Sequence, residues 1–238
     1  MPQIVPKEMK VKRLALVFLT ALMGFSGVCF GDDPSEQWLK RLNGIEELIH
    51  EGRYRKAASK AARFEEDMLE LIIDGPRVPE FLGKIAGLYS LALAGKGEID
   101  HSVWKWQMAT EFFPQISSID LSAFGQAGRA LGSGLEEAPS FPAQLYLGKQ
   151  GPTEPKVLKG PDPKFPVVQR EAGTRCRLTV EVLIGIDGFP RKPRVVKSDG
   201  RPTLVYTTLD ALRAWRFKPS EFDGQPIQTL YILTVNFK

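Results

Sequence analysis

Histidine and cysteine are nearly absent: the 238 residues hold two of each. His50 and His101 fall in separate helical patterns, without the spacing a zinc or iron site requires. Cys29 lies inside an apolar N-terminal run, so a cut after that run would leave Cys176 alone, with no intramolecular disulfide available. Neither Gly-x-Ser-x-Gly nor a phosphate-cradling Gly-Lys-Ser/Thr loop occurs. Glu46-Glu47 and Glu65-Glu66-Asp67 are acidic pairs and triplets on helix faces, where solvation is the ordinary role. These deficits argue against an enzyme, and no residue is nominated as catalytic, metal-binding or cofactor-binding. Nucleic acid is argued against as well, since no recognised binding pattern is present and the chain reads as exported.

The formal charge of +4 divides unevenly. Residues 1–31 carry a net +3, residues 32–155 a net −6, and residues 156–238 a net +7. An acidic half and a basic half can attract partners of opposite sign or dock on each other.

Lys10, Lys12 and Arg13 precede an apolar run from Leu14 to Phe30, which stops at Gly31-Asp32-Asp33-Pro34. That is the layout of a secretory signal, residues 1–31, with Cys29 and Gly31 as the small residues before a cut at Asp32. The alternative is an uncleaved anchor, since 17 apolar residues lie at the lower edge of a bilayer span. Either reading puts the remainder outside the cytoplasm: in the periplasm after cleavage, or on a single-pass inner-membrane anchor with its C-terminus in the periplasm.

Residues 32–135 read as helical. Trp38, Leu39, Leu42, Ile45, Leu48 and Ile49 recur at three- and four-residue steps. Tyr54, Ala57, Ala61, Phe64, Met68, Leu69 and Ile72 continue in a second helix, closed by Asp74-Gly75-Pro76. A third helix is predicted from Pro79 to Ala94 and a fourth from Ile99 to Phe112. The turns at Gly52 and Gly97 look alike, which is similar to tetratricopeptide-like helical hairpins, though their offset of 45 exceeds the ~34 residues of that repeat. A plain four-helix bundle with Gly at its turns is the equal alternative. Residues 136–164, rich in Pro and Gly, read as a semi-rigid linker that holds two modules apart.

Alternation marks the C-terminal region. Cys176, Leu178, Val180, Val182, Ile184 and Ile186 share one face of a strand, followed by an Asp187-Gly188 hairpin turn with positive φ at its centre. Arg194–Ser198 is a second strand. Leu204, Leu209, Leu212 and Trp215 share a helical face, with Pro219 as the helix end. Asp223-Gly224 is another turn, and Thr229 to Phe237 a last strand. The fold class is therefore α+β: helical hairpins, then a β-β-α-β module.

Several short motifs make this module specific: Phe165-Pro166, Val195-Val196-Lys197-Ser198, Leu209-Asp210-Ala211-Leu212, Trp215-Arg216-Phe217-Lys218-Pro219 and Asp223-Gly224-Gln225-Pro226-Ile227. Together they resemble the TonB C-terminal domain family over residues 165–238. On that resemblance Trp215, Phe217, Pro219 and Gly224 are structural motif residues. It also implies a periplasmic module that engages a protein or peptide partner in the cell envelope, such as a segment of an outer-membrane transporter. The physics is strand addition at a sheet edge. The candidate edge is the final strand, with Thr229, Tyr231, Leu233, Val235 and Phe237 on one face; an edge covered internally or blocked in a homodimer is the alternative. The family's transducers also need an uncleaved anchor bearing a polar His, and none lies between Leu14 and Phe30. The first expectation is thus a non-enzymatic periplasmic adaptor, and the alternative is an inner-membrane-anchored energy transducer.

Overall fold

The computed structural model describes residues 34–71, 75–137, 144–145 and 152–237. The predicted signal or anchor and much of the Pro/Gly-rich stretch lie outside these residues. Among the described residues no helix is long and apolar enough to cross a membrane.

Four helices fall where the apolar period puts them: α1 (Pro34–His50), α2 (Tyr54–Leu71), α3 (Val78–Gly95) and α4 (Ile99–Phe112). Helix α3 is apolar nearly all round and correspondingly buried along its length, so the others pack about it. The two similar turns share one backbone motif. Gly52 and Gly97 both take positive φ, and the residue after each donates its N–H to a carbonyl five residues back: Arg53 to Leu48, and Glu98 to Leu93. This is the Schellman helix stop, in which Gly takes the left-handed position without a Cβ penalty. The likeness of the turns is therefore a likeness of helix ends.

Two short 3-10 turns, Pro114–Ser118 and Leu121–Phe124, lead to a fifth helix, α5 (Gly125–Glu137), which the sequence reading did not separate. Ala127 and Leu131 of α5 are wholly buried, but four glycines interrupt its period.

The C-terminal region is built on a mixed sheet of order β1 (Gln144–Leu145), β8 (Thr229–Phe237), β3 (Cys176–Ile184) and β4 (Pro190–Ser198). Strand β3 lies between β4 and β8, antiparallel to both. Helix α7 (Pro202–Leu212) covers the face carrying Cys176, Leu178, Val180, Val182 and Ile184, all buried. A short helix, α6 (Val167–Glu171), precedes β3. Strands β5 (Arg216–Lys218), β6 (Ser220–Phe222) and β7 (Gln225–Ile227) intervene between α7 and β8, enlarging the expected β-β-α-β order. The α+β class stands.

Three local expectations are corrected. Ile186 is 63% exposed at the tip of the β3–β4 turn, because the strand and its alternation end at Ile184. In that turn only Gly188 has positive φ, so it closes after a Gly185–Gly188 bend. Helix α7 ends at Leu212, so Trp215 lies beyond it and Pro219 joins β5 to β6.

The stretch read as a spacer does not hold the two regions apart. Within it, β2 (Lys156–Lys159) pairs antiparallel with β5, and β1 (Gln144–Leu145) pairs with the start of β8. Helix α4 lies directly against α7 and β4. The Trp104 indole N–H donates to the Leu209 carbonyl at 3.1 Å, and the rings of Phe112 and Tyr206 lie 5.3 Å apart. Between them Lys105, 1% exposed, reaches Glu65 of α2 at 2.6 Å and Asp210 of α7 at 2.8 Å.

Burial opposes the charge on Lys105, yet Glu65, the Tyr206 hydroxyl and Asp210 outweigh it and hold the ammonium well above its ordinary pKa. Glu65 is pushed up by burial, with Lys105 opposing. Asp210 is held low: burial opposes its charge, but the contact with Lys105 prevails. Removing Lys105 strands the buried Glu65 carboxylate in a low-dielectric setting, while Asp210, 44% exposed, keeps its contact with water. The variant Lys105→Met is expected to lose about 3–5 kcal/mol of stability, read as a lower midpoint in urea denaturation.

Candidate functional site

Among the described residues the two long strands toward the edges of the sheet are β8 and β4. One flank of β8 is hydrogen-bonded to β3 along its whole length, from Thr229 opposite Ile184 to Phe237 opposite Cys176. The other meets β1 in parallel at Thr229 and Leu230 alone. From Tyr231 to Phe237 no strand pairs with that flank among the described residues. The opposite sheet edge differs. Helix α4 lies against β4, where the Val195 N–H donates to the Glu111 carboxylate at 3.0 Å.

The side chains nominated on β8 face inward. Thr229, Leu233 and Phe237 are buried and Tyr231 and Val235 half-buried, while Ile232, Thr234 and Asn236 are exposed. Arg177 and Gly185 turn their main-chain groups toward β4, so the alternate β3 residues between them face the nominated set on β8, and the outward set, Ile232, Thr234 and Asn236, carries both the free main-chain groups and the exposed side chains. Alternation forces this division, because successive side chains point to opposite faces. The outward residues were missed by reading the apolar face as the contact face; Ile232, 49% exposed, was the available signal.

The motif residues form the support beneath this strand. Phe217 is buried, and its ring centroid lies 6.2 Å from that of Tyr231 in a T-shaped pair. Its N–H donates to the Gly188 carbonyl at 2.9 Å, where an added Cβ on Gly188 would stand 2.1 Å from the Phe217 carbonyl oxygen. Trp215 is half-buried and donates its indole N–H to Pro161 at 2.9 Å, its ring lying over Gly160. Pro219 is half-buried between β5 and β6. Gly224 (φ +75) and Asp223 (φ +49) both take the left-handed region, the mirror-image turn that Asp-Gly favours between β6 and β7. The Tyr231 hydroxyl reaches Glu154 at 3.2 Å. These contacts fix the first half of β8 and leave its second half free on one side.

The two histidines are not brought together. His50 stacks on Phe124 with ring centroids 5.1 Å apart. His101 lies against Tyr89, and burial together with the charges of Arg213 and Lys105 lowers its pKa to about 4. Among the described residues no group of His, Cys, Asp or Glu could hold a metal ion. Cys176 is buried and free.

A small α+β module whose last strand is open along one flank belongs to the class that can accept an added strand. Residues 161–238 match the family described as the Gram-negative bacterial TonB protein C-terminal. The chain is also similar to Protein TonB of Vibrio cholerae serotype O1 (strain ATCC 39315 / El Tor Inaba N16961). The two are 26% identical over 105 residues, 41% of this chain and 43% of that protein. The chain therefore spans less than half the length of the relative it matches.

His101 supplies a pH-dependent test. Its folded pKa lies near 4, below the ordinary 6.5. Between those values the unfolded chain binds a proton that the folded chain does not, so stability falls as pH drops from about 6.5 to 4. In His101→Gln the loss across that window is expected to be shallower by up to one proton, measured by urea denaturation at several pH values.

Proposed function

We propose that the chain is a non-enzymatic protein of the bacterial cell envelope that works as a periplasmic adaptor. Its C-terminal module takes up an extended segment of a partner protein on the open flank of β8. The reading rests on one observation, the outer flank of β8 from Ile232 to Phe237, to which no strand pairs among the described residues, in a region that matches the TonB C-terminal family. Main-chain hydrogen bonds along that edge supply affinity, and side chains beside Ile232, Thr234 and Asn236 supply selectivity. On the opposite edge α4 packs against β4, and the Val195 N–H is taken by Glu111. An outer-membrane transporter segment is the partner the family suggests; a second copy of the chain is the competitor for the same edge.

A second reading, an inner-membrane-anchored energy transducer, is favoured by the similarity to Protein TonB. It requires the apolar run from Leu14 to Phe30 to be retained. The mass of the mature chain from fractionated native cells separates the two readings: a start at Asp32 in the soluble periplasmic fraction leaves the adaptor, and an intact membrane-bound chain leaves the transducer.

Photo-crosslinking in native cells tests the edge itself. A benzophenone side chain placed at Thr234 or Asn236 is expected to yield a discrete adduct with an envelope protein. The same probe at Val196 on β4 should yield none. Equal adducts at all three positions, or none at Thr234 and Asn236, would overturn strand addition at β8.

A further inference from the structure

Helix α2 carries its charges the wrong way round for its own dipole. Arg55, Lys56, Lys60 and Arg63 occupy its first half, and Glu65, Glu66, Asp67 and Glu70 its second. Cations near a helix N-terminus and anions near its C-terminus both oppose the backbone field. The acidic half has internal compensation: Glu65 meets Lys105, Asp67 meets Arg41, and Glu66 and Glu70 meet Lys164. The basic half has none. Lys56, Lys60 and Arg63 are exposed, and none pairs with a carboxylate among the described residues; the same holds for Lys40 on α1. Lys56 and Lys60 are also one turn apart, a like-charge spacing that weakens a helix.

A second, independent weakness lies on the facing helix. Gly44 sits inside α1, where Gly is unfavourable, and an added Cβ there would meet nothing within 4 Å. Neither packing nor backbone geometry therefore requires a glycine. Both weaknesses open onto the same groove, of about 540 Å³ between α1 and α2, lined by Gln37, Lys40, Arg41, Gly44, Ile45, Lys60 and Arg63. Arg41 is held at its wall by Asp67 and by the Phe64 ring, 4.0 Å beneath its guanidinium.

We infer that this groove binds an acidic, extended peptide segment of another protein, as a second interaction surface separate from β8. The unpaired cations supply the complementary charge, and the missing side chain at Gly44 leaves the floor open. The groove is a cleft between two helices with cations on both walls, and this shape admits a chain with carboxylates on either side. A bilayer plane cannot enter it.

The test is fluorescence anisotropy with a fluorescein-labelled dodecapeptide of alternating Glu and Ala, using the full mature chain. Binding is expected for the wild type, at least tenfold weaker in Lys60→Glu and likewise in Gly44→Leu. The second variant changes no charge, so it separates a seated peptide from general attraction to a basic surface. Both variants are expected to melt at or above the wild-type temperature, since each removes a helix weakness; a loss of binding then does not reflect unfolding. Unchanged binding in Gly44→Leu, no wild-type binding at millimolar protein, or cosedimentation with phosphatidylglycerol vesicles without peptide binding would each overturn the proposal. The readout is independent of crosslinking at β8, so either surface can fail alone.

Discussion

The ion cluster at Lys105 is the constraint on which the arrangement of the molecule depends. A single ammonium, taken almost wholly out of water, answers a carboxylate from the helical region and another from the C-terminal module. Glu65 balances the buried ammonium within the helical region, and Asp210, 44% exposed, adds a second carboxylate that ties the C-terminal region to it. The apolar contacts around it, Phe112 on Tyr206 and the hydrogen bond from Trp104 to Leu209, follow from that registration. The negative half and the positive half of the chain thus meet at a few specific pairs, Lys164 with Glu66 and Glu70 among them.

Docking the two regions has an effect on the sheet. With α4 against β4, one edge is engaged and its Val195 N–H satisfied. An open strand edge is ordinarily a hazard that proteins blunt or cover. Here covering is uneven: α4 lies against part of β4, and β8 is paired on its outer flank only at its first two residues. This asymmetry gives the C-terminal module a direction that an isolated copy of it would lack.

Much of the fold was legible because it is local. The helices α1 to α4 announce themselves by three- and four-residue steps and by Gly and Pro at their ends, and β3 by alternation over nine residues. What escaped was short or non-local. Strands of three residues, such as β5 to β7, are too brief for a period to register, and glycines dilute the pattern of α5. Lys105 stands between Trp104 and Trp106, where one charge looks like ordinary solvation; its partners come from α2 and α7, far away in sequence. On the final strand, the apolar set proposed for contact faces the core. Apolar residues on a half-buried strand point to the core, so the residues available to a partner are those the pattern makes look unremarkable.

The two-residue pairing of β1 with β8 sets a length. A strand laid along the free flank runs from Phe237 back to Ile232 and there meets chain already in place. At roughly 3.3 Å per residue, that berth is about 20 Å long. It measures out a guest: a short segment fits whole, and a longer one must turn away at Tyr231 or lift β1 from its seat. The protein's own chain is thus a ruler laid against its docking edge, and it determines where an incoming strand must stop.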